Sequence, residues 1–520
     1  MSAEPTPTVR RPAPGPRRFA GRTVGVRSHL SALESRPSAA EDPPGSSDLV
    51  IVANRLPVRS VPSADGTTTW EPSPGGLASA LGPALRERAK GDAKAVWIGW
   101  PGVSGPAEVP DLDQTFSMRT VELSDAEQDE FYFGFANATL WPLYHDAIRA
   151  PTFDRGWWRT YRSVNARYAD AAAEAAGPDA AVWIHDYQLQ LVPRMLRERR
   201  PDLRIGFFLH IPFPPQELFL QLPWRREIIR GMLGADLVGF QVPGAAANFS
   251  RLARRLVGAG GTDARIETEG RTVLVGAFPI SVDTGELARR AAEPGVAARA
   301  RQIRRDLGDP DCILLGVDRL DYTKGIDRRV RAVAELFADG TLTPSRHVMV
   351  QIAVPSREGD PLYQAERHRL EQLVSEVNGD FSGVGHPVVH YLHQSVPFDE
   401  LVALYRAADI MLVTPLRDGM NLVAKEYVAC RVDGEGVLIL SEFAGAATQL
   451  RGAITVNPHD LDGVKEAIAL ALSFGPSEAR SRMRRLRRIV QRNDVHAWAR
   501  SFLTALDQAA PGDAAGVALP

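Results

Sequence analysis

Short apolar runs alternate with segments of helical period along almost the whole chain, and this restricts the fold to an α/β architecture. The first half carries such runs at 49–53, 96–100, 181–185, 205–210, 237–241 and 273–278, the second at 313–317, 348–354, 388–392, 410–414 and 437–441. They are apolar throughout instead of alternating in and out, which fits parallel strands covered on both faces. A chain of 520 residues exceeds what one core usually supports, so two doubly wound sheets are expected, with a soft boundary after Asp283 and before Ile313. No tandem repeat is visible.

Open α/β sheets bind ligands at the carboxyl ends of their strands. Gly316-Val-Asp-Arg-Leu-Asp-Tyr-Thr-Lys-Gly325 joins one apolar run to the helical pattern Ile326, Val330, Val333, Leu336, and so puts Arg319 and Lys324 at a strand's end. Two cations on one loop suit a departing diphosphate, whose growing charge they neutralise without a metal. Alone, the loop reads equally well as ordinary surface. A second loop, Thr414-Pro-Leu-Arg-Asp-Gly-Met-Asn-Leu-Val-Ala-Lys-Glu426, follows the run at 410–413. Gly419 lets the backbone approach a ligand closely, and Asn421 fits the cap of a helix running toward Cys430. Amides near Leu422 and Val423 then point at an anion. Asp418 is placed to accept from sugar hydroxyls and Glu426 from a ribose diol.

Lys plus Arg (61) nearly balances Asp plus Glu (63), which argues against bulk attraction to nucleic acid or a membrane. No apolar stretch is long enough to span a bilayer and no signal peptide is seen, so a cytoplasmic location is expected. The two cysteines, Cys312 and Cys430, sit in apolar segments and read as small core residues, and the histidines are scattered without zinc spacing. Residues 1–47 interleave Pro and Arg without periodicity and read as a disordered tail; a targeting peptide fits less well, given Glu4, Glu34, Glu41 and Asp42.

The two loops, with Ala53-Asn-Arg-Leu56, Ser73-Pro-Gly-Gly-Leu77, Trp97-Ile-Gly-Trp100, Asn137-Ala-Thr-Leu-Trp-Pro-Leu-Tyr-His145, His185-Asp-Tyr187 and Phe207-Phe-Leu-His-Ile-Pro-Phe-Pro214, give the chain from Asp48 to about Leu506 its family. It resembles the trehalose-6-phosphate synthases, retaining nucleotide-sugar glycosyltransferases. The resemblance implies two facing Rossmann-like domains (GT-B type) with the active site in the cleft. The expected divisions are the tail at 1–47, an acceptor domain at 48–290, a nucleotide-sugar domain at 291–485, a helix at 486–508 crossing back to the first domain, and a frayed end at 509–520. Donor contacts are implied for Gly75, Gly76, Arg319, Lys324, Val396, Asp418, Gly419, Met420, Asn421, Leu422, Val423 and Glu426. The acceptor phosphate is implied to meet Arg55, Tyr132 and Arg357, with Trp141 beside the sugar ring. Asp186 would bind acceptor hydroxyls, and the His210 segment would face the anomeric centre through its backbone carbonyl.

The reaction so implied moves glucose from a nucleoside diphosphate glucose to glucose 6-phosphate with retention, giving α,α-trehalose 6-phosphate. UDP-, GDP- and ADP-glucose are all open as donors. No pair of carboxylates for double displacement is evident, and the implied catalytic set is Arg319, Lys324, Asp186, His210 and Asp418. No cofactor or metal is expected, a divalent ion being at most stimulatory. The expected partners are the two small-molecule substrates, and a homo-oligomer is left open. The alternatives are a pseudoglycosyltransferase of the validoxylamine phosphate synthase kind and a non-catalytic sugar-phosphate-sensing homologue.

Overall fold

Leu49 and Ile51 point to one face of the first strand, Val50 and Val52 to the other, and all four are buried. Such a strand has to lie at the centre of a sheet with helices on both sides. The structure, a computed structural model, describes residues 45–62, 68–73, 81–82, 94–110 and 116–509. The strands of its first part are β1 (Ser47–Arg55), β2 (Val58–Pro62), β3 (Thr68–Pro72), β4 (Ala95–Trp100), β5 (Ser117–Thr120), β6 (Ala176–His185), β7 (Arg204–Phe208), β8 (Leu237–Phe240), β9 (Gly260–Gly261), β10 (Arg265–Thr268) and β11 (Arg271–Ala277). Except for the β2-β3 hairpin they form one sheet in the order β5-β4-β1-β6-β7-β8-β11-β10-β9. It is parallel as far as β11, and the last pairings are antiparallel.

The second sheet holds β12 (Cys312–Arg319), β13 (His347–Val354), β14 (Val389–Leu392), β15 (Ile410–Val413), β16 (Val437–Ser441) and β17 (Ile454–Val456), all parallel, in the order β14-β13-β12-β15-β16-β17. In both sheets the first strand lies inside and the chain winds outward first to one side, then to the other. The winding reverses between β1 and β6 and again between β12 and β15, and such reversals open a crevice at the strands' carboxyl ends. Arg55 ends β1 and Asp186 follows β6, while Arg319 ends β12 and Thr414 follows β15. The sequence thus folds into the expected pair of Rossmann-like domains.

Five helices matter for the site: α1 (Arg155–Ala175), α2 (Ile326–Ala338), α3 (Leu422–Cys430), α4 (Pro476–Arg492) and α5 (Val495–Gln508). The helical pattern after Gly325 is realised in α2, which buries Ile326, Val330, Val333 and Leu336. α5 packs on the first sheet. Phe502 stacks on Trp183 with ring centroids 4.5 Å apart, and Trp498 Nε1 donates to Phe278 O at 3.1 Å. The chain therefore crosses between the sheets twice, after β11 and before α5, and the crossings are tied by Val495 N–H donating to Val282 O at 3.1 Å.

The expected divisions shift accordingly. Ser47, assigned to the tail, is the first residue of β1 and pairs with Ala176. A break at 290 falls inside the helix Thr284–Ala292, which packs on α3 and so goes with the second sheet. A break at 485 falls inside α4, whose Met483, Leu486 and Val490 are buried together, because an amphipathic helix docks as a unit. Ala509 is buried against the end of α5, not frayed. Residues 1–44 and 510–520 lie outside the described residues. Cys312 and Cys430 are buried and unpaired, and among the described residues no helix is long and apolar enough to cross a membrane.

Candidate active site

Strand alternation separates neighbours at the end of β12: Asp318 is buried and Arg319 exposed toward the crevice. The chain then turns sharply. Asp321 Oδ1 accepts from the Thr323 amide at 2.9 Å and starts a 3₁₀ turn, Tyr322–Lys324, ended by Gly325 at φ 62°. Leu416 N–H donates to Thr323 O at 2.7 Å, joining this loop to the one after β15. Lys324 Nζ lies 2.6 Å from Asp418 Oδ2, with both side chains mostly buried. Burial pushes the Asp418 carboxyl up, but Lys324, with His145 and Asn421, more than offsets this and holds it below its usual range.

Asn421 caps α3 as its position suggests: its Oδ1 accepts from Ala424 N–H at 3.1 Å, and its Nδ2 donates to Asp418 Oδ2 at 3.1 Å. Glu426 accepts from the Tyr405 hydroxyl at 2.8 Å and is pushed up by burial. Leu422 and Val423 open α3, buried Met420 precedes it, and Val396 is half-buried beyond β14. Beneath both loops lies Arg329 of α2, which sequence reasoning missed. Its Nη1 donates to Asp318 at 2.8 Å and Gln351 at 2.9 Å, and its Nε to Thr414 Oγ1 at 3.1 Å, so one buried cation ties the carboxyl ends of β12 and β15 to the middle of β13. Gly316 makes room for it, since a Cβ there would lie 2.3 Å from Nη1.

The first domain brings Arg55, whose guanidinium lies 4.0 Å over the Trp100 ring and 5.6 Å over Tyr132. Tyr132 and Trp141 come from a π-helical run, Gln128–Leu140, continued by the turn Trp141–Tyr144. Arg357, from the loop after β13, lies 4.3 Å over Trp141, reaches Tyr187 OH at 3.4 Å and Asp321 Oδ2 at 3.8 Å, and donates to Tyr363 OH. Its φ of 51° is a strained value for arginine. Arg319 lies 5.5 Å over the same Trp141 ring and, among the described residues, has no ion-pair partner. Burial pushes the Tyr132 phenol up, yet Arg357, Arg55 and Arg319 together leave it below its usual range. Three guanidiniums from two domains thus converge on one small region. Two of them, Arg357 first and Arg319 next, also hold Asp321 down at about 2 against burial.

Asp186 follows β6 at φ 76°, and its Oδ1 accepts from the His210 amide at 3.2 Å. Burial raises its carboxyl to about 6, against opposing backbone hydrogen bonds and Arg319. His210 Nε2 lies 3.0 Å from His185 Nδ1, and burial takes His210 down to about 3, so the imidazole is neutral. Its carbonyl oxygen faces Gly419 across the cleft: a Cβ on Gly419 would lie 2.1 Å from it. The close approach that Gly419 permits is therefore made by the protein's own backbone, where the sequence suggested a ligand. Among the described residues the buried indole N–H of Trp141 has no partner, and its ring lies against Arg357 and His145. Gly75 and Gly76 lie outside the described residues. Among the described residues no three His, Cys, Asp or Glu side chains gather as a metal site.

Residues 47–508 match Glycosyltransferase family 20. The trehalose-6-phosphate synthase of Mycolicibacterium gilvum is 56% identical over 502 residues, covering 94% of this chain and 97% of that protein. That of Mycobacterium tuberculosis H37Rv is 55% identical over 487 residues, covering 90% and 96%. Among solved structures, a UDP-forming α,α-trehalose-phosphate synthase from Burkholderia xenovorans in complex with glucose-6-phosphate superposes with a TM-score of 0.81 at 35% identity, over 89% of this chain and all of that one. An E. coli structure bound with UDP-2-fluoro glucose gives 0.80 at 34% identity, over 88% and 99%. With two Rossmann-like sheets facing across a cationic cleft and a match spanning both, the chain belongs to glycosyltransferase family 20.

Proposed function

We propose that the chain transfers glucose from a nucleoside diphosphate glucose to glucose 6-phosphate with retention, forming α,α-trehalose 6-phosphate and the nucleoside diphosphate. The observation that carries this reading is the convergence of Arg55, Arg319 and Arg357 around Tyr132, next to a second cation, Lys324, on the Arg319 loop. Two anions are thereby accommodated side by side. Arg55 and Arg357 take the acceptor phosphate, and Arg319 and Lys324 take the diphosphate together with the amides at the start of α3. Glu426 keeps one carboxylate oxygen for a ribose hydroxyl, and Asp418 one for the glucose.

In the transfer, the bond from the sugar's C1 to the diphosphate oxygen breaks as a bond forms from C1 to the acceptor's anomeric oxygen on the same face. The acceptor's proton passes to the departing phosphate oxygen. Arg319 and Lys324 stabilise the charge that develops there, which is electrostatic catalysis without a requirement for a metal. Asp186, ionised above about pH 6, orients the acceptor hydroxyls, and His210, held down to about 3 by burial with its Nε2 3.0 Å from His185 Nδ1, is too weak a base to be the natural proton acceptor. The relatives are synthases by name, and an intact clamp has no use in a sensing homologue, so both alternatives are disfavoured.

The test is product analysis after incubation with glucose 6-phosphate and UDP-, GDP- or ADP-glucose in turn. A non-reducing disaccharide phosphate with both anomeric centres α, from at least one donor, is expected. Binding of the sugar phosphate without turnover on any donor would instead fit the sensing homologue.

A further inference from the structure

Lys425 precedes Glu426 on α3, is 1% exposed, and donates only to neutral oxygens among the described residues: Ile280 O at 2.6 Å and Gln449 Oε1 at 2.8 Å. Burying an ammonium without a counter-charge is costly, and an apolar side chain of similar length would avoid the cost. Desolvation brings its pKa down to about 7. Ile280 belongs to the first of the two crossings between the sheets. Its N–H donates to Gln241 Oε1 at 3.0 Å, and Gln241, buried after β8, turns its Nε2 toward His210 O at 3.5 Å. The His210 amide in turn donates to Asp186. Five residues thus link the helix that faces the diphosphate to the carboxylate at the first sheet's crevice. Breaking any step leaves a buried polar group unpaired, so the groups are constrained to shift together.

We propose that Lys425 and Gln241 are positioning residues of one relay, through Ile280 and His210, that couples seating of the nucleotide on α3 to placement of Asp186, so that the two substrates bind cooperatively. This rests on the transferase reading above, and neither residue touches a substrate in it. A chain of contacts becomes a coupling path only when the coupling is measured.

Calorimetry of glucose 6-phosphate binding with and without saturating UDP supplies that measurement for the wild type, Lys425→Met, Gln241→Leu and the double variant. In the wild type, UDP should tighten glucose 6-phosphate about fivefold or more, and by reciprocity glucose 6-phosphate should tighten UDP equally. Each single variant should bring that factor below about twofold while UDP alone binds within about threefold of the wild type, and the double variant should lose no more than either single. Lys425→Arg, which keeps a donor, should recover part of the coupling. No coupling in the wild type, or undiminished coupling in Gln241→Leu, overturns the relay even if Lys425→Met does not fold. Turnover of the wild type, assayed on the same preparation, separates failure of the relay from failure of the transferase reading.

Discussion

His210 and Gly419 touch backbone to backbone across the cleft, the carbonyl oxygen of one standing where a side chain on the other would begin. The residues belong to different sheets, so this contact sets how closely the two crevices face each other. Gly419→Ala should force them apart by roughly 1 Å, and a displacement of that order can cost about 100-fold in turnover. The melting temperature should hardly change, since neither sheet's core is altered. Steady-state rates with small-angle scattering check this: normal turnover in the variant would show that the contact does not govern the active arrangement.

Arg319→Ala and Lys324→Ala should each reduce turnover on the order of 100-fold by removing a donor to the departing diphosphate. They should differ in one respect. Arg319 has no ion-pair partner among the described residues, whereas Lys324 is the main influence holding Asp418 down. Losing Arg319 should move the acid limb near pH 6 upward, because Arg319 helps hold the Asp186 carboxyl down, whereas losing Lys324 should raise the Asp418 carboxyl instead, which a pH–rate profile of each variant decides. Turnover of the wild type is expected to survive EDTA.

Arg55→Ala and Arg357→Ala should impair use of glucose 6-phosphate while sparing nucleotide affinity, and free glucose should be a poor acceptor for the wild type. Charge-assisted contacts to a phosphate dianion support both orientation and closure, so turnover should fall with affinity. Stability separates the two arginines. Arg55 is exposed, and its loss should leave the melting curve in place. Arg357 is buried beside Asp321 and Tyr363, and its loss should cost roughly 1–3 kcal/mol.

Asp186 should make both stability and rate depend on pH. Its folded value of about 6 lies above the usual carboxyl range, so the native state holds this proton more tightly than the unfolded chain. The associated stabilisation is complete below about pH 4 and lost as the pH rises through about 6. Asp186→Asn cannot ionise, so its melting temperature should gain on the wild type across that interval. Wild-type turnover should fall below about pH 6 as the carboxyl stops accepting from sugar hydroxyls. A constant difference in melting temperature from pH 4 to 7 would contradict this assignment.

The central strands were legible because burial on both faces writes an unbroken apolar run. β5 has no fully buried residue and β17 only three residues in all, so neither wrote one. In the site, Arg319, Lys324, Asp418 and Asn421 were recognisable from loops at strand ends. Arg329 was not: in Asp327-Arg-Arg-Val-Arg331 nothing local tells the buried arginine from its neighbours. Lys425 and Gln241 escaped for the same reason, since their partners lie far away in sequence and only the tertiary fold supplies them. Tyr132 and Trp141 owed their assignment to family resemblance, because aromatic residues at that spacing read equally well as core.

The return of α5 to the first sheet has a consequence for the order of assembly. Trp183 and Phe208 are covered by Trp498 and Phe502, residues that leave the ribosome only after the whole second sheet has been made. One apolar face of the first sheet must therefore stay uncovered throughout synthesis of the second, although domains usually fold in the order they emerge. Here the domain begun first is finished last, and a nascent chain cut before Val495 would carry that aromatic face without its cover.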